Sequence, residues 1–226
     1  MLAIIKKEVK SYFLSPIGYV FIGLFLLMAS VFFYLNTIYS GVAYFEYMFY
    51  SLATVITFLI PVLTMRLFAE ERKNGTEQLL LTSPRSITSI VLGKFISAAI
   101  VVFIAEGLTF IYYGILCYFG TPHLGTALTT LVGFFLLSLA YISFGMFASS
   151  LTENQIIAGV LSIGFFIATW FLPDIIGALD VFSIINLFDK APQGLIALNE
   201  LVGLTSFTFV FVLLTIIVMQ RRKSVK

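Results

Sequence analysis

The chain has 226 residues, of which 60% are hydrophobic and only 11% are charged, and its mean hydropathy is +1.07. Because an ordinary soluble domain is about 25% charged, this composition excludes a soluble globular protein and indicates an integral membrane protein. The single cysteine, Cys117, excludes a disulfide within the chain and a multi-cysteine metal site.

Long apolar runs predict an all-α fold with six transmembrane helices. A helix needs about 20 residues to cross the hydrocarbon of a bilayer, and each run is close to or above that length. The predicted spans cover residues 17–35, 47–67, 89–119, 126–149, 155–172 and 201–219. Since no internal repeat is evident, we predict one transmembrane domain over residues 1–226.

Two further segments are predicted to lie at the membrane surface. Residues 1–14 mix lysines with apolar positions, a pattern typical of a helix in the headgroup plane. Residues 174–198 contain too many charges to span the membrane but are too apolar for a free loop. We therefore expect an external re-entrant or interfacial segment before the last span.

Local signals predict how two of the spans bend and end. Pro61 cannot donate to the carbonyl of Thr57, which predicts a kink in the second span. Thr152 and Gln155 have the spacing of a capping box, with Thr152 accepting from the backbone, so the fifth span should begin at Gln155. Pro173 is expected to follow its end.

The distribution of basic residues predicts the orientation of the chain. If both termini are cytoplasmic, twelve of the thirteen Lys and Arg residues lie on the inner side and Lys190 alone lies outside. This distribution predicts cytoplasmic termini and an even number of spans.

Residues 66–94, between the second and third spans, carry eight of the 24 formal charges, the sum of 13 basic and 11 acidic residues. Gly75 suits the left-handed position that ends a helix, so the second span should extend into the cytoplasm and stop at Asn74. Thr76 can cap a new short helix that begins at Glu77, whose carboxylate favours the positive end of a helix. This helix would carry leucines with no lipid to cover them, which indicates a protein partner.

Three stretches resemble the ABC-2 type permeases, the membrane subunits of ATP-binding-cassette transporters, and among them the permeases associated with bacterial gliding motility. The stretches are SPIGYV at 15–20, PVLTMRLFAEERKNGTEQLLLTSP at 61–84 and SSLTENQIIAG at 149–159, with a weaker similarity in NLFDKAPQGLI at 186–196. The resemblance implies a connecting helix on the membrane surface, six spans, a cytoplasmic coupling helix and a re-entrant segment. It also implies the bacterial cytoplasmic (inner) membrane.

The chain is not expected to hydrolyse ATP. A phosphate-binding loop needs a glycine five residues before Gly-Lys and a Ser or Thr after it, but Thr88 and Phe95 occupy those places around Gly93 and Lys94. The resemblance implies two copies of a separate ABC ATPase subunit, which would bind ATP and Mg²⁺, so this chain itself needs no cofactor. It further implies a second permease copy or a paralogue, and it leaves room for an accessory subunit; we expect no nucleic-acid partner.

The coupling loop supplies the candidate docking residues for the ATPase. A short helix held by the ATPase would move when two ATPase subunits close on ATP, and the second span would carry that motion into the membrane. A solvated charged face with ordinary helix caps is the alternative. The candidates are Glu70, Glu71, Arg72, Gly75, Thr76, Glu77, Leu79, Leu80 and Pro84.

Glu106 lies near the middle of the third span, where an ionised carboxylate is costly. It is a candidate residue of an intramembrane pathway, and the alternative is a protonated carboxyl that is hydrogen-bonded to a neighbouring helix. We predict no catalytic residue and no metal site, because the single histidine, His123, cannot provide paired ligands. An intramembrane enzyme is disfavoured because the membrane segments contain no histidine.

These features together predict a permease subunit that exports or extrudes a substrate. A membrane scaffold without transport, or a mechanical component of a gliding-type complex, is the alternative.

Overall fold

A computed structural model of the chain describes residues 1–42, 44–82, 85–175, 184–195 and 197–225, with only the backbone at 80, 81, 172–175 and 225. The secondary structure of this described part is helical and contains no strand. Ten α-helices occur in it: α1 Leu2–Leu14, α2 Pro16–Phe33, α3 Tyr47–Thr64, α4 Arg66–Lys73, α5 Glu77–Leu81, α6 Ile87–Leu108, α7 Phe110–Phe119, α8 Leu124–Leu151, α9 Gln155–Ile175 and α10 Leu198–Val225. A π-helical turn at Tyr34–Ile38 extends α2, and 3₁₀ turns occupy Asn186–Phe188 and Ala191–Gln193.

Five helical segments within the described residues are long and apolar enough to cross a membrane. They are Pro16–Ile38, Tyr47–Lys73, Ile87–Phe119, Leu124–Leu151 and Leu198–Ser224. Helix α9 is apolar over Gln155–Phe171, a shorter stretch. The all-α prediction is therefore confirmed with five such segments, and a sixth span at α9 stays a prediction.

Helix α1 packs tightly against the rest of the chain. Tyr12 is 1% exposed and its hydroxyl donates to the carbonyl of Leu63 at 3.3 Å. Burial raises the pKa of Tyr12 above its ordinary value, so this hydroxyl keeps its proton and remains a donor. On α6, a Cβ at Gly93 would lie 2.8 Å from Cγ2 of Ile4, so only glycine permits this approach of the two helices. One side of α1 is thus buried in protein, and its place in the headgroup plane stays a prediction.

The second long segment is interrupted at Met65, between α3 and α4, four residues after Pro61. The hydroxyl of Ser149 on α8 accepts from the backbone N–H groups of Phe68 and Ala69 at 3.0 and 3.1 Å, and donates to the carbonyl of Met65 at 2.8 Å. These are the kinds of backbone group that an interrupted helix leaves unpaired, so α8 satisfies the break.

Helix α8 lies at the centre of the fold because small residues let other elements approach it. A Cβ on Gly145 would clash with the side chain of Thr64, and one on Gly133 would clash with Ala191. Aromatic rings fill the remaining space around α8: the Phe144 and Phe165 rings stack at 3.8 Å between centroids. The core of the protein therefore surrounds α8.

The structure revises several predicted helix ends. Helix α9 begins at Gln155 as predicted, but its N-cap is Asn154, whose Oδ1 accepts from the N–H of Ile156 at 2.9 Å, so the predicted cap at Thr152 was wrong. The hydroxyl of Thr152 instead accepts from the N–H of Asn154 at 3.1 Å. Helix α9 also continues to Ile175, past its predicted end before Pro173.

The predicted external segment, 174–198, is described only in part, because 176–183 and 196 lie outside the described residues. Its first two residues still belong to α9, and Leu198 already belongs to α10. The middle part packs onto α8, where the hydroxyls of Thr129 and Thr130 donate to the carbonyl of Ala191 at 3.2 and 3.5 Å. A re-entrant course stays a prediction.

Candidate functional site

The charged loop folds as two helices joined by a sharp turn. Helix α4 ends at Lys73, and the N–H groups of Asn74 and Gly75 donate back to the carbonyls of Glu70 and Arg72 at 3.0 and 3.1 Å. Gly75 has a φ of +72°, which favours glycine. The predicted helix end at Gly75 is thus confirmed.

Helix α5 starts at Glu77, also as predicted, but Thr76 uses its side chain differently. The hydroxyl of Thr76 donates to the carbonyl of Glu71 at 3.2 Å, so it fastens the end of α4. The turn is therefore held from the α4 side.

A buried ion cluster lies where α1, α4 and α6 meet. Lys94 is 1% exposed, and its Nζ lies 2.9 Å from Oε1 of Glu71 and 3.4 Å from Oε1 of Glu8. The ammonium also lies 5.3 Å from the centroid of the Phe68 ring, within range of a cation–π contact. Lys94 thus links the connecting helix, the second long segment and α6, and Glu71 faces this interior cluster.

A second ion cluster gathers at the start of α5. The carboxylate of Glu77 lies 3.1 Å from Nη1 of Arg222 on α10 and 3.9 Å from Nε of Arg72 on α4. Arg72 Nε also lies 3.1 Å from Glu153, and its Nη1 donates to the carbonyl of Leu151 at 3.3 Å. Arg72 thus connects the charged loop with the α8–α9 turn, and Arg222 connects it with the last helix.

These partners could not be found by sequence reasoning, because they lie far apart in the chain. Lys94 and Arg222 were both counted as basic residues of the inner side, and Lys94 was rejected as the lysine of a phosphate-binding loop. Neither was a candidate site residue. The one available signal for the burial of Lys94 was its position seven residues after the start of the apolar helix α6.

Cavities flank α5 on both sides. One, of about 550 Å³, lies between α1 and the loop and is lined by charged groups that include Glu70 and Arg85, together with Leu79. The other, of about 650 Å³, lies between α5 and the end of α10. Leu79 is 74% exposed, so α5 presents an apolar side chain to the surroundings. The side chains of Leu80 and Leu81, and all of Ser83 and Pro84, lie outside what the structure describes.

Glu106 lies apart from the charged loop, twelve residues along α6 from Lys94, or about 18 Å at the helical rise. It is 3% exposed, and neither carboxylate oxygen has a hydrogen-bond partner among the described residues. The helix is interrupted three residues later at Thr109, whose hydroxyl donates to the backbone carbonyl of Glu106 at 2.6 Å. No partner for the predicted alternative, a hydrogen-bonded carboxyl, is found among the described residues, and this alternative stays a prediction.

Within the part of the chain that is described, no group of three or more His, Cys, Asp or Glu side chains is placed to hold a metal ion. The ion clusters pair acids with bases and thus serve as links between helices.

The fold and the loop define a class of protein: a multi-pass helical membrane protein whose charged loop is held to the surrounding helices by ion pairs. A family model described as ABC-2 family transporter protein matches residues 2–221, nearly the whole chain, and the chain therefore belongs to this family. It is a membrane permease of an ABC transporter, a transmembrane component without a nucleotide-binding domain, and it pairs with an ABC ATPase subunit. A search of curated proteins found no match.

Proposed function

We propose that this chain is the permease subunit of an exporter, and that α5 is the coupling helix through which the ATPase drives it. The observation that carries the proposal is the arrangement of α5, where Glu77 is buried in an ion cluster and Leu79 is exposed. A buried anchor lets the helix transmit force, and the exposed Leu79 side chain supplies an apolar contact for the ATPase subunit.

The ion clusters support cytoplasmic termini. Near the start of the chain, Glu8 contacts Lys94, which also contacts Glu71. Near the end of the chain, Arg222 contacts Glu77 of the same loop. One end of the molecule thus holds both ends of the described chain and the charged loop. Combined with the excess of basic residues predicted for the inner side, this favours six spans, with both termini on the cytoplasmic face of the bacterial inner membrane.

The proposed complex contains two permease subunits, identical or paralogous, and two ATPase subunits that bind ATP and Mg²⁺. Closure of the ATPase pair displaces α5, and the displacement passes through Glu71 and Lys94 into α6 and through α4 into the membrane. Export of a hydrophobic or lipid-linked substrate fits the apolar spans. An accessory subunit is compatible with this assembly.

A mechanical role in a gliding-type complex is the second candidate. It rests on the resemblance of the chain to the gliding-associated permeases, although the longest matching stretch, 61–84, is typical of the ABC-2 family at large. The same displacement of α5 would then perform mechanical work without moving a substrate.

Glu106 is proposed to lie on the pathway through the membrane. Among the described residues its carboxyl has no hydrogen-bond partner, which is costly for a buried carboxyl in a span. Its position beside the helix interruption at Thr109 supports exposure to the pathway when α6 and α7 move apart.

The docking of α5 is tested by co-purification of the permease with its ATPase subunit. Leu79→Asp places a charge at the exposed apolar position and is expected to reduce the recovered ATPase at least tenfold. Gln78→Asp is the matched control, because it adds the same charge to an adjacent exposed residue. Equal recovery from both variants and from the unchanged chain would refute docking through Leu79.

A further inference from the structure

Helix α5 is held by an ion pair with α10, which lies outside the charged loop. Glu77 is 8% exposed, whereas the side chains of Gln78 and Leu79 are exposed. Helix α5 is thus held at its first residue, and the shorter of the two ion contacts there comes from Arg222, 145 positions later in the chain.

Helix α5 is connected to α4 through the chain and to α10 through an ion pair. Three residues, 74–76, join the two helices, and a Cβ at Gly75 would meet no atom within 4 Å. Arg72 on α4 lies 3.9 Å from the Glu77 carboxylate, and its shorter contact, 3.1 Å, is with Glu153. A displacement of α5 therefore acts on α4 through the connecting turn and on α10 through Arg222.

Helix α10 is built to carry such a displacement into the membrane. It has 28 residues and is about 42 Å long at the helical rise. Eleven residues before Arg222, the ring of Phe211 packs against Phe144 of α8 and Phe165 of α9, with centroids 5.0 and 6.0 Å apart. Movement of the Arg222 end would thus reach the central helix α8 and its neighbour α9.

We propose that Arg222 is a positioning residue that ties the coupling helix to α10 and makes α10 a second route of transmission beside α4. The inference rests on the proposed function, because it takes α5 as the helix that the ATPase moves. In this view the permease responds to ATP at two helices that lie far apart in sequence, α4 and α10.

The test measures the movement of α10 in the complete complex of permease and ATPase in lipid nanodiscs. In a Cys117→Ser background, spin labels are attached to cysteines placed at Leu27 on α2 and Val210 on α10, both exposed. Their distance distribution is recorded without nucleotide and after trapping with ATP, Mg²⁺ and vanadate. Arg222→Gln removes the ion pair, and Arg221→Gln is the matched control because Arg221 lines the same cavity and is exposed.

The unchanged chain and Arg221→Gln are expected to show the same nucleotide-dependent shift, and Arg222→Gln is expected to lose it. Glu77→Gln should cause the same loss, although it also removes the longer contact with Arg72. The double variant should be no worse than Glu77→Gln, because both lack the Glu77–Arg222 ion pair. If Arg222→Gln does not assemble, Arg222→Lys keeps the charge with a different reach and is expected to retain only part of the shift.

An undiminished shift in Arg222→Gln, or in Arg222→Lys where that variant is used, overturns the inference and leaves the docking of α5 intact. Equal loss in Arg221→Gln and Arg222→Gln also overturns it, because the effect would then come from charge alone. If the unchanged permease does not bind its ATPase, the proposed function and the inference are overturned together. This outcome is recognised by the absence of the ATPase from the purified sample, whereas failure of the inference alone leaves the ATPase bound.

Discussion

Replacement of Lys94 by methionine should destabilise the protein, because it removes the ammonium that pairs with Glu71 and Glu8; Glu8 keeps a contact with the exposed Lys7 at 3.6 Å. At an effective dielectric constant near 20, a unit charge pair attracts by about 6 kcal/mol at the 2.9 Å of the Glu71 contact and about 5 kcal/mol at the 3.4 Å of the Glu8 contact. Desolvation of the buried ammonium offsets much of this attraction, and breaking a buried pair costs about 3–5 kcal/mol in practice. The lower end applies here, because the Glu71 and Glu8 side chains are 16% and 13% exposed beside a cavity and can gain water.

A loss of about 3 kcal/mol corresponds to a fall of roughly 6–12 °C in the apparent Tm of a protein of this length. The assay is thermal unfolding of the detergent-purified permease. Lys73→Met is the control, because Lys73 is exposed on the same loop and should change the Tm by less than about 2 °C. The double variant Lys94→Met/Glu71→Gln should be more stable than Lys94→Met, since one unpaired carboxylate is removed. A Tm of Lys94→Met within 2 °C of the unchanged chain would refute the reasoning.

Three further sets of variants test other contacts between helices and the role of Glu106. Ser149→Ala should cost about 1–3 kcal/mol, because it removes the side chain that accepts from the N–H groups of Phe68 and Ala69 at the break. Ser143→Ala removes a bond only within its own helix and should cost less; equal Tm values for the two variants would contradict the role of Ser149. Gly145→Ala should reduce the yield of folded protein, because the added methyl group clashes with Thr64 of α3. Gly164→Ala places its methyl group in open space and should raise stability by up to about 1 kcal/mol. Size-exclusion profiles of the two variants compare their yields of folded protein, and equal yields would contradict the clash at Gly145. Glu106→Gln should retain the Tm and the bound ATPase but change the ATP-dependent movement of the membrane helices, and an unchanged movement in the spin-label assay would remove Glu106 from the pathway.

Local chemistry predicted the loop well. The end of α4 and the beginning of α5 follow from a glycine that tolerates positive φ and from a residue pattern that restarts a helix within three residues. The same kind of reasoning placed the start of α9 at Gln155 but chose the wrong cap, because Thr152 and Asn154 both have side chains able to accept a backbone proton. A sequence pattern does not distinguish two such competitors.

The amino-acid sequence by itself determined that this is a helical membrane protein, because apolar length and scarcity of charge decide which solvent a helix can occupy. It also determined where the charged loop turns, since that depends on neighbouring residues. Only the tertiary structure decided that Lys94 is a buried link, that Ser149 satisfies the break at Met65 and that Arg222 holds Glu77. Each of these contacts joins helices far apart in the chain, and their partners are selected by packing around α8, which no local pattern records.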